Sequence, residues 1–481
     1  MGSDQNQEKE VKGAVAVVMV PLPAQGHLNP LLHLSGQISA GGIDVYYVSS
    51  AIHNRQARER IHGRDVAGAD RLHFLDVPIP CFPSPAPNPN SADKFPSHLQ
   101  PSFDATADHI LPQLPPLLQS LSPSYRRIAL VYDSCISSAA AAVSAVANAE
   151  PFIFHASSAI CNVFFHSQVH NKLYPALAGL TTVSFDGCVS EEFLDFISRQ
   201  RQITTNANSI RGRLFNTCRA VEGNFVDGLS GVPSWKGERF FVVGPLHPVG
   251  AIAGGGRSRH ECLRWLDLQP PASVLYVSFG TTSSLPREQM KEIAAGLEAA
   301  GERFIWVIRE ADRCDIFKGV DAGEAEEDDG GELAAGGEFE RRVEGRGVVV
   351  RGWAPQTEIL GHPATGGFVS HCGWNSLMEA MSFGVPILTW PMHSDQPAND
   401  VLVTEVARAG MRVREWEERG EVVAAGRIRE AVARMMTGEE GREARRRAAE
   451  LGKKIRSAVM QGGSSKEDLD DFLSYISRPS D

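Results

Sequence analysis

The sequence predicts an α/β protein built from two Rossmann-like domains that face each other across a cleft. Three observations support this fold class. Short β-rich apolar runs alternate with helical segments in the first half of the chain, and the same alternation begins again in the second half. Between the two series, residues 244–261 are rich in Gly and Pro, as is typical of a linker. With 481 residues, the chain is also too long for one small hydrophobic core.

The first series opens with a β-α-β unit. The run "AVAVVMV" is typical of a parallel strand buried on both faces, and the loop "PLPAQGH" follows it. The segment "LNPLLHLSGQISAG" predicts a helix that ends at Gly, and "DVYYVS" predicts the next strand. A second strand followed by a helical segment is predicted at "IALVYDSCISSAAAAVSAVANA". The Pro-rich stretch between them, "DVPIPCFPSPAPNPNSADKFP", predicts a long loop that lies over a site.

The second series begins with the strand "SVLYVSFG", the helix "PREQMKEIAAGLEAAG" and the strand "RFIWVIRE". It resumes, after an acidic insert, with "GVVVRGW", "PQTEILG", "TGGFVS", "NSLMEAMSFG" and "VPILTWP". We therefore predict an N-terminal domain over residues 1–250, a linker over 251–260 and a C-terminal domain over 261–460. A last helix, over residues 461–481, is expected to pack back on the N-terminal domain.

The charge balance of the chain is acidic. The sequence has 47 Lys and Arg residues against 58 Asp and Glu residues, a formal net charge of −11. Nucleic-acid binding requires a basic face that displaces counterions, so no nucleic-acid partner is expected. A local dipolar pocket for a small anion is compatible with this composition.

Signals for secretion or membrane insertion are missing from the sequence as given. The polar start "MGSDQNQEKEVK" has no apolar signal region, and the longest apolar runs are far shorter than the roughly 20 residues of a membrane span. Eight cysteines are scattered without a Cys-x-x-Cys pair, which is typical of reduced thiols. We expect a cytoplasmic monomer without a membrane partner.

The stretch "SHCGWNS" at residues 370–376 raises three alternatives: a metal site, a thiol catalyst, or a turn that binds an anion. His371 and Cys372 are adjacent, so in a strand their side chains point to opposite faces, and no further ligand lies at zinc spacing. A catalytic Cys372 would need an activating His brought near by the fold. The third alternative fits a strand-to-helix turn in which Gly373 and the free helix-start N–H groups approach a diphosphate. The loop alone does not exclude an ordinary capped turn.

The longer segment at residues 353–396, "WAPQTEILGHPATGGFVSHCGWNSLMEAMSFGVPILTWPMHSDQ", closely resembles the nucleotide-sugar signature of plant family 1 glycosyltransferases. These UDP-dependent enzymes glycosylate small metabolites and hormones. The resemblance implies the GT-B fold, UDP-glucose as co-substrate, a small-molecule acceptor, and neither a metal nor another cofactor. Neither half of the chain has the G-x-G-x-x-G pattern of a dinucleotide site after its first strand.

The resemblance also implies roles for individual donor-site residues. Trp353 would stack on uracil with Ala354 and Gln356 beside it, and Glu379 would accept the ribose hydroxyls. His371, Gly373 and the helix start would hold the diphosphate, and Trp374 would close over the sugar. The remaining implied contacts are Asn375, Ser376, Thr281 and Ser283 to the diphosphate, and Asp395 and Gln396 to the sugar hydroxyls.

Two residues of the first half are candidate catalytic residues. His27 follows the first strand, at the sheet edge where open α/β sheets bind their ligands. The family has a general base in this loop, which assigns that role to His27. Asp133 ends the strand "IALVYD" where the family has an Asp behind the His. Asp133 would orient the imidazole and stabilise its protonated form, and the alternative is an Asp that only caps the following helix.

The sugar and the acceptor are inferred from further resemblance. In this family a Gln at position 396 favours glucose, although xylose shares the hydroxyls that Asp395 and Gln396 would hold. From about residue 14 onward the chain resembles the zeatin O-glucosyltransferases, most closely the cis-zeatin type, in stretches such as "RLFNTCRAVEGNF" and "PMHSDQPAND". A β-O-glucoside of zeatin is therefore the expected product. Residues 82–103 and 154–166 are the expected acceptor-pocket walls.

Three rival functions remain at this point. A glucosyltransferase for flavonoids or other phenolics would use the same fold and the same donor. A non-catalytic UDP-sugar binder would have no use for His27 and Asp133 together. A Rossmann oxidoreductase is disfavoured by the missing glycine fingerprint.

An acidic insert lies at residues 319–337 and consists of Gly319 followed by "VDAGEAEEDDGGELAAGG". It contains too few apolar residues to form an ordered structure by itself. We predict that a short Gly/Ser linker can replace it without a large change in Tm or turnover, both measured against the parent enzyme. A large loss of either would mean that the insert docks on the domain or lines the acceptor entrance.

Overall fold

The computed structural model describes residues 15–60, 70–82, 85, 87–91, 94–204, 210–250, 259–308 and 337–479. The acidic insert, apart from Gly337, and most of the predicted linker lie outside these residues. The described helices and strands belong to two parallel sheets and the helices around them, which is the GT-B architecture predicted from the sequence. None of the helices in these ranges combines the length and the apolar character needed to cross a bilayer.

The first described sheet has the strand order β3-β2-β1-β4-β5-β6-β7, and every neighbouring pair is parallel. The interior strand Val15–Val20 is buried on both faces, as the run "AVAVVMV" predicts. Val17 and Met19 belong to one hydrophobic cluster, whereas Val18 and Val20 belong to the cluster on the opposite face. The strands are β1 Val15–Val20, β2 Asp44–Ser50, β3 Leu72–Val77, β4 Arg127–Asp133, β5 Ala149–His155, β6 Gly212–Phe215 and β7 Arg239–Val242.

Helices cover both faces of this sheet and begin where the strands end. The α-helices are α1 Gln25–Ala40, α2 Ala51–Arg60, α3 Gln100–Ala105, α4 Leu114–Leu121, α5 Ala159–Val169, α6 Glu191–Thr204 and α7 Arg219–Leu229. Shorter helical turns are found at Ser97–Leu99, Thr106–Ile110, Leu111–Gln113, Ser134–Ala145, Pro175–Leu177 and Pro233–Trp235.

The second described sheet has the strand order β10-β9-β8-β11-β12-β13, again with parallel neighbours. Its strands are β8 Val274–Ser278, β9 Arg303–Ile308, β10 Gly347–Arg351, β11 Thr365–Ser370, β12 Ile387–Thr389 and β13 Gly410–Arg412. Its α-helices are α8 Glu261–Leu266, α9 Arg287–Ala300, α10 Glu338–Arg342, α11 Gln356–Leu360, α12 Trp374–Phe383, α13 Gln396–Val401, α14 Ala425–Met436 and α15 Glu439–Ala458. Short turns lie at Leu402–Val406 and Trp416–Glu418.

The last helix, α16 (Ser464–Ile476), packs against the first sheet rather than the second. The Phe472 ring lies 5.4 Å from that of Phe152 and 5.2 Å from that of Phe241, measured between centroids. Ser465 Oγ donates a 2.6 Å hydrogen bond to the Gly244 carbonyl. The end of the chain therefore ties the two halves together.

A third hydrophobic cluster joins the two halves directly. It contains Phe215 and Trp235 from the first half and Trp374 and Met378 from the second. Because α1 and α12 both begin at the carboxyl end of a strand, this packing brings those two helix starts face to face. A ligand in the cleft therefore meets both sheets at the edge where parallel strands end.

Candidate active site

A cavity of about 1580 Å³ lies between the two sheets. Both helix starts contribute to its walls, and so do the loops that follow β8, β10 and β12. The residues predicted from the sequence that line it are His27, Thr281, Trp353, Ala354, Gln356, His371, Gly373, Trp374, Asn375, Ser376, Glu379, Asp395 and Gln396. The sequence-predicted residues thus meet in one space although they come from distant parts of the chain.

His27 and Asp133 form a close pair. His27 lies in the first turn of α1, and its Nδ1 is 2.7 Å from Oδ2 of Asp133, the last residue of β4. The Asp133 side chain is fully buried, whereas 27% of the His27 side chain is exposed toward the cavity. Asp133 Oδ1 also accepts a 2.9 Å hydrogen bond from the Cys135 N–H and so caps the helical turn that follows. The two readings of Asp133 are therefore compatible, because each carboxylate oxygen has its own partner.

Two opposing effects act on the His27 imidazole. Burial lowers its pKa, but the Coulombic attraction of Asp133, its hydrogen bond and the charge of Asp395 outweigh burial, and the net pKa is raised. The ring nitrogen Nδ1 faces the carboxylate, so Nε2 is the atom left to accept a proton from a substrate.

His371 occupies a slot between two glycine backbones. A Cβ at Gly280 would lie 2.6 Å from its Nε2, and a Cβ at Gly373 would lie 3.0 Å from its Cε1 and closer still to Nε2. Gly280 also has a φ of +82°, which a side chain would strain. Burial lowers the pKa of His371 to about 4, so the imidazole is neutral at pH 7. Its Nδ1 makes no hydrogen bond within the described residues.

Cys372 is not suited to thiol catalysis. Its side chain is fully buried, and burial raises the pKa of the thiol well above its ordinary value. The residue has a φ of +67°, and its backbone N–H and C=O are held by Ser370 and Asn399. The strained backbone turns the chain from β11 into α12. Among the residues that the structure describes, no group of three or more acidic, His or Cys side chains is arranged to hold a metal ion.

A hydrogen-bonded set lies beside the start of α12. Gln356 Nε2 donates to Glu379 Oε2 at 2.7 Å and to Ser376 Oγ at 3.0 Å, and Gln356 Oε1 accepts from the Tyr276 hydroxyl at 3.2 Å. Burial raises the pKa of Glu379 to about 7, against the opposing hydrogen bond from Gln356. Trp353 lies at the rim, with 47% of its surface exposed. A flat exposed ring and a buried carboxyl group held by Gln356 therefore line the same cavity.

Trp374 and Asn375 make contacts that the sequence did not reveal. The Trp374 indole N–H donates to the Asn216 carbonyl at 2.7 Å, and only 4% of this residue is exposed. The Asn375 Nδ2 donates to the Gly26 carbonyl at 2.9 Å, and its Oδ1 accepts from the Asn216 amide at 3.1 Å. Both residues line the cavity, but in this structure their polar atoms connect the two domains.

Asp395 and Gln396 follow β12 on the opposite wall. Burial raises the pKa of Asp395, against the lowering effects of the Asn399 amide and of His27. Gln396 Oε1 accepts hydrogen bonds from the backbone N–H groups of Met392 and His393 at 2.8 and 3.0 Å. This carbonyl oxygen therefore fixes the loop, and the amide nitrogen is the part of Gln396 suited to a ligand.

Ser283 differs from the other predicted donor residues. It does not line the cavity, because its hydroxyl lies 2.9 Å from His393 Nε2, and it is buried. Thr282, which the sequence analysis did not name, lines the cavity together with Thr281. The loop after β8 is therefore part of the site. Within it, Ser283 is turned away from the cavity by its contact with His393.

Both stretches expected to form the acceptor pocket contribute residues to the cavity wall. Phe95, Leu99 and Phe103 line it from the long loop and α3, and Cys161 and Phe165 line it from α5. His155 on the same wall belongs to the expected stretch 154–166, but sequence reasoning missed its neighbours Arg213, Trp235 and Glu238. The sequence offered one sign of this polar wall: Arg213 is a charged residue inside the short buried strand "GRLF".

The slot around His371 generates a test. We predict that Gly373→Ala weakens UDP binding by roughly tenfold or more, because the added methyl displaces the imidazole and crowds the helix start. Gly426→Ala is the matched control, since a Cβ there meets nothing within 4 Å. Isothermal titration with UDP measures both variants. An unchanged Kd in a folded Gly373→Ala protein would contradict the assignment of this turn to the diphosphate.

Comparison with known proteins gives two family matches. Residues 13–248 match the family model described as "Glycosyltransferase, N-terminal domain", and residues 245–425 match the one described as "UDP-glucoronosyl and UDP-glucosyl transferase". The two matches meet between the β7 strand and the α8 helix.

Relatives of the chain are similar over nearly its whole length. Cis-zeatin O-glucosyltransferase 2 of Zea mays is 45% identical, covering 97% of this chain and 98% of that protein. Zeatin O-xylosyltransferase of Phaseolus vulgaris is 42% identical, covering 96% of this chain and 98% of that protein. A solved UDP-glucosyltransferase from Polygonum tinctorium, capable of glucosylating indoxyl, superposes with a TM-score of 0.75 at 26% identity, covering 97% and 99% of the two chains. The chain is a glycosyltransferase that belongs to the UDP-glycosyltransferase family.

Proposed function

We propose that this enzyme transfers glucose from UDP-glucose to the hydroxyl of a small acceptor, and that the acceptor is the cytokinin zeatin, with the cis isomer favoured. The observation that carries the chemistry is the His27–Asp133 pair, 2.7 Å apart, in the same cavity as the α12 helix start. The zeatin assignment is supported by the full-length similarity to enzymes named for zeatin.

The two domains divide the substrates between them in this proposal. Residues 1–250 bind the acceptor and supply the catalytic pair, and residues 261–460 bind the UDP-sugar. The linker at 251–260 connects them, and the helix over 461–481 belongs with the acceptor domain through its contacts with the first sheet.

The donor is held by the groups assembled around α12. The Trp353 ring offers a flat face to uracil, and Glu379 accepts the ribose hydroxyls beside Gln356 and Ala354. The N–H groups at the start of α12, neutral His371, Asn375, Ser376 and Thr281 donate to the diphosphate. Asp395 and the amide nitrogen of Gln396 hold the sugar hydroxyls, and Trp374 bounds the sugar. Ser283 acts through His393 in this proposal, since its hydroxyl is engaged there.

The reaction follows from the placement of these groups. His27 Nε2 takes the proton of the acceptor hydroxyl, and the oxygen attacks C1 of glucose from the face opposite UDP. The C1–O bond to the diphosphate breaks as the new C1–O bond forms, so the configuration inverts from α to β. Asp133 stabilises the imidazolium, and the helix-start dipole stabilises the departing diphosphate. In this proposal the N–H groups of the helix start and the neutral side chains stabilise the charge that develops on the diphosphate, and no metal takes part.

The cysteines and the charge of the chain bear on its cellular setting. The described cysteines, which exclude Cys314, are free thiols, as expected for a reducing compartment. The free thiols support a cytoplasmic enzyme, and the acidic charge of the chain supports one that has no nucleic-acid partner. The proposal takes the enzyme as a monomer.

An acceptor and donor panel tests the proposal. UDP-glucose and UDP-xylose are each supplied with cis-zeatin, trans-zeatin, dihydrozeatin and several flavonols, and products are identified by mass spectrometry. We expect a cis-zeatin O-glucoside to form fastest. If a flavonol reacts fastest, the proposed acceptor is wrong. If UDP-xylose is the better donor, the proposed sugar is wrong.

The catalytic pair has its own prediction. His27→Ala should lower turnover by roughly two to four orders of magnitude, the usual contribution of a general base, while UDP affinity is retained. Asp133→Asn should lower turnover less, because the imidazole keeps a hydrogen-bonding neighbour but loses the charge. If the residues act as one unit, the double variant should be little worse than His27→Ala. Full additivity would make Asp133 an independent helix cap.

The pH profile separates the charge effect from a structural one. A general base must be neutral, so kcat/KM should fall as the pH drops through the raised pKa of His27. In Asp133→Asn the carboxylate that raises this pKa is gone, and the acidic limb should move to lower pH. An acidic limb at the same pH in both proteins would contradict the assignment of His27 as the titrating base.

The sugar contacts give a further prediction. Asp395→Ala should lower turnover with UDP-glucose while UDP itself still binds, since the residue faces the sugar and not the nucleotide. Gln396→Ala should do the same and also lower Tm, because its carbonyl oxygen holds two backbone N–H groups. Turnover and thermal unfolding are measured on both variants, and unchanged turnover in both would remove the sugar assignment.

A further inference from the structure

One wall of the cavity, formed by the N-terminal domain, has a polar recess that the proposed mechanism does not use. We define it by His155 on β5, Arg213 on β6, and Trp235 and Glu238 just before β7, all of which line the cavity. Arg213 Nε lies 2.5 Å from Glu238 Oε2, and Arg213 Nη2 lies 3.3 Å from Oε1. The guanidinium carbon lies 3.8 Å from the centre of the Trp235 ring. The recess is therefore a rigid, charge-balanced surface.

The tautomer of His155 follows from its neighbour. Arg213 Nη1 lies 3.2 Å from His155 Nε2, and because a guanidinium can only donate, Nε2 must be the acceptor. The proton of the neutral ring is then on Nδ1. Burial and the positive charge of Arg213 hold the pKa of His155 well below its ordinary value, so the ring stays neutral.

The Nδ1–H of His155 is a buried donor that makes no hydrogen bond of ordinary geometry within the described residues, and the Asn162 side chain is the neighbour that contributes a weak hydrogen bond to this ring. The residue is only 3% exposed, although it borders the cavity. His166 on α5 also borders the cavity, packs edge-on against Trp235 and has an unpartnered Nδ1. A buried donor whose hydrogen bond is poor costs free energy, so a ligand that supplies an acceptor to His155 Nδ1 would stabilise this recess.

The recess also lies at a suitable distance from the catalytic pair. Tyr132, next to Asp133 on β4, is in register with Ile153 on β5, and Ile153 is in register with Arg213 on β6. Two strand spacings of about 4.8 Å separate Arg213 from the strand that carries Asp133, which is about 10 Å in all. An acceptor whose hydroxyl and ring are joined by a short chain can reach both places at once.

We propose that this recess binds a nitrogen heteroaromatic base of purine size, which forms the part of the acceptor that is not glucosylated. The Nδ1–H of His155 donates to a ring nitrogen, and the Glu238 carboxylate accepts from a ring N–H while Arg213 balances its charge. A purine presents an acceptor nitrogen and an N–H donor around one ring, which matches this pair. The inference rests on the proposed function, because it names what part of the acceptor this wall recognises.

Adenine is the probe, since it has the base but no hydroxyl to be glucosylated. In the parent enzyme, adenine should inhibit competitively against cis-zeatin. In His155→Phe, which keeps a ring to stack on Phe215, the Ki of adenine and the KM of cis-zeatin should both rise roughly tenfold, the worth of one hydrogen bond. The Kd of UDP and the rate with a simple phenol should stay at parental values.

His73→Phe is the matched control, because this His also stacks on an aromatic ring, Tyr46, but does not line the cavity. It should leave every one of these constants unchanged. If His155→Phe shows no cooperative thermal transition, Glu238→Gln is used instead, and it should raise the Ki of adenine in the same way.

The possible results separate this inference from the proposed function. If cis-zeatin is glucosylated but adenine does not compete, or competes equally in the folded variants, the base site is overturned and the function stands. If no cytokinin is glucosylated but adenine competes with a phenol and depends on His155, the function falls and the base site stands.

Discussion

The contact between the start of α12 and the loops of the N-terminal domain is the interaction on which the site depends. Asn375 donates to the Gly26 carbonyl, one residue before His27, and Trp374 donates to Asn216 from within the shared hydrophobic cluster. A buried indole N–H needs an acceptor, and here the acceptor belongs to the other domain. The start of α12, where the donor is proposed to bind, and the start of α1, which carries the proposed base, are therefore fixed relative to each other.

Burial then decides the protonation states around this contact. It lowers the pKa of His371 to about 4 and of His393 to about 3, so both imidazoles are neutral, and it raises the pKa of Glu379 to about 7. His27 is the exception, because the Asp133 carboxylate more than offsets the effect of burial. The site consequently presents neutral donors where the diphosphate is proposed to bind and one basic imidazole where a proton must be removed.

Asp133 illustrates how a choice that looks exclusive in the sequence can be resolved by geometry. A strand-ending Asp before a helical turn is a good N-cap, and an Asp behind a His is a good orienting group. A carboxylate has two oxygens, and the fold gives one to Cys135 and the other to His27. The hydrogen bond from Cys135 to Oδ1 orients the carboxylate, so that Oδ2 points to the imidazole of His27.

The sequence by itself determined the two-sheet architecture, because buried parallel strands require apolar runs. It also predicted in advance that local residues such as Gly373 and Asn375 belong to the cavity, which they line. It did not reveal that Ser283 packs against His393, or that Gln396 holds the backbone N–H groups of Met392 and His393. Nor did it reveal the recess of His155, Arg213 and Glu238. The Ser283–His393 and Arg213–Glu238 contacts join residues 110 and 25 positions apart in the chain. The Gln396 contact is local in the chain, but it depends on the conformation of the loop after β12. Local pattern carries no information about such distances, so only the tertiary structure could decide them.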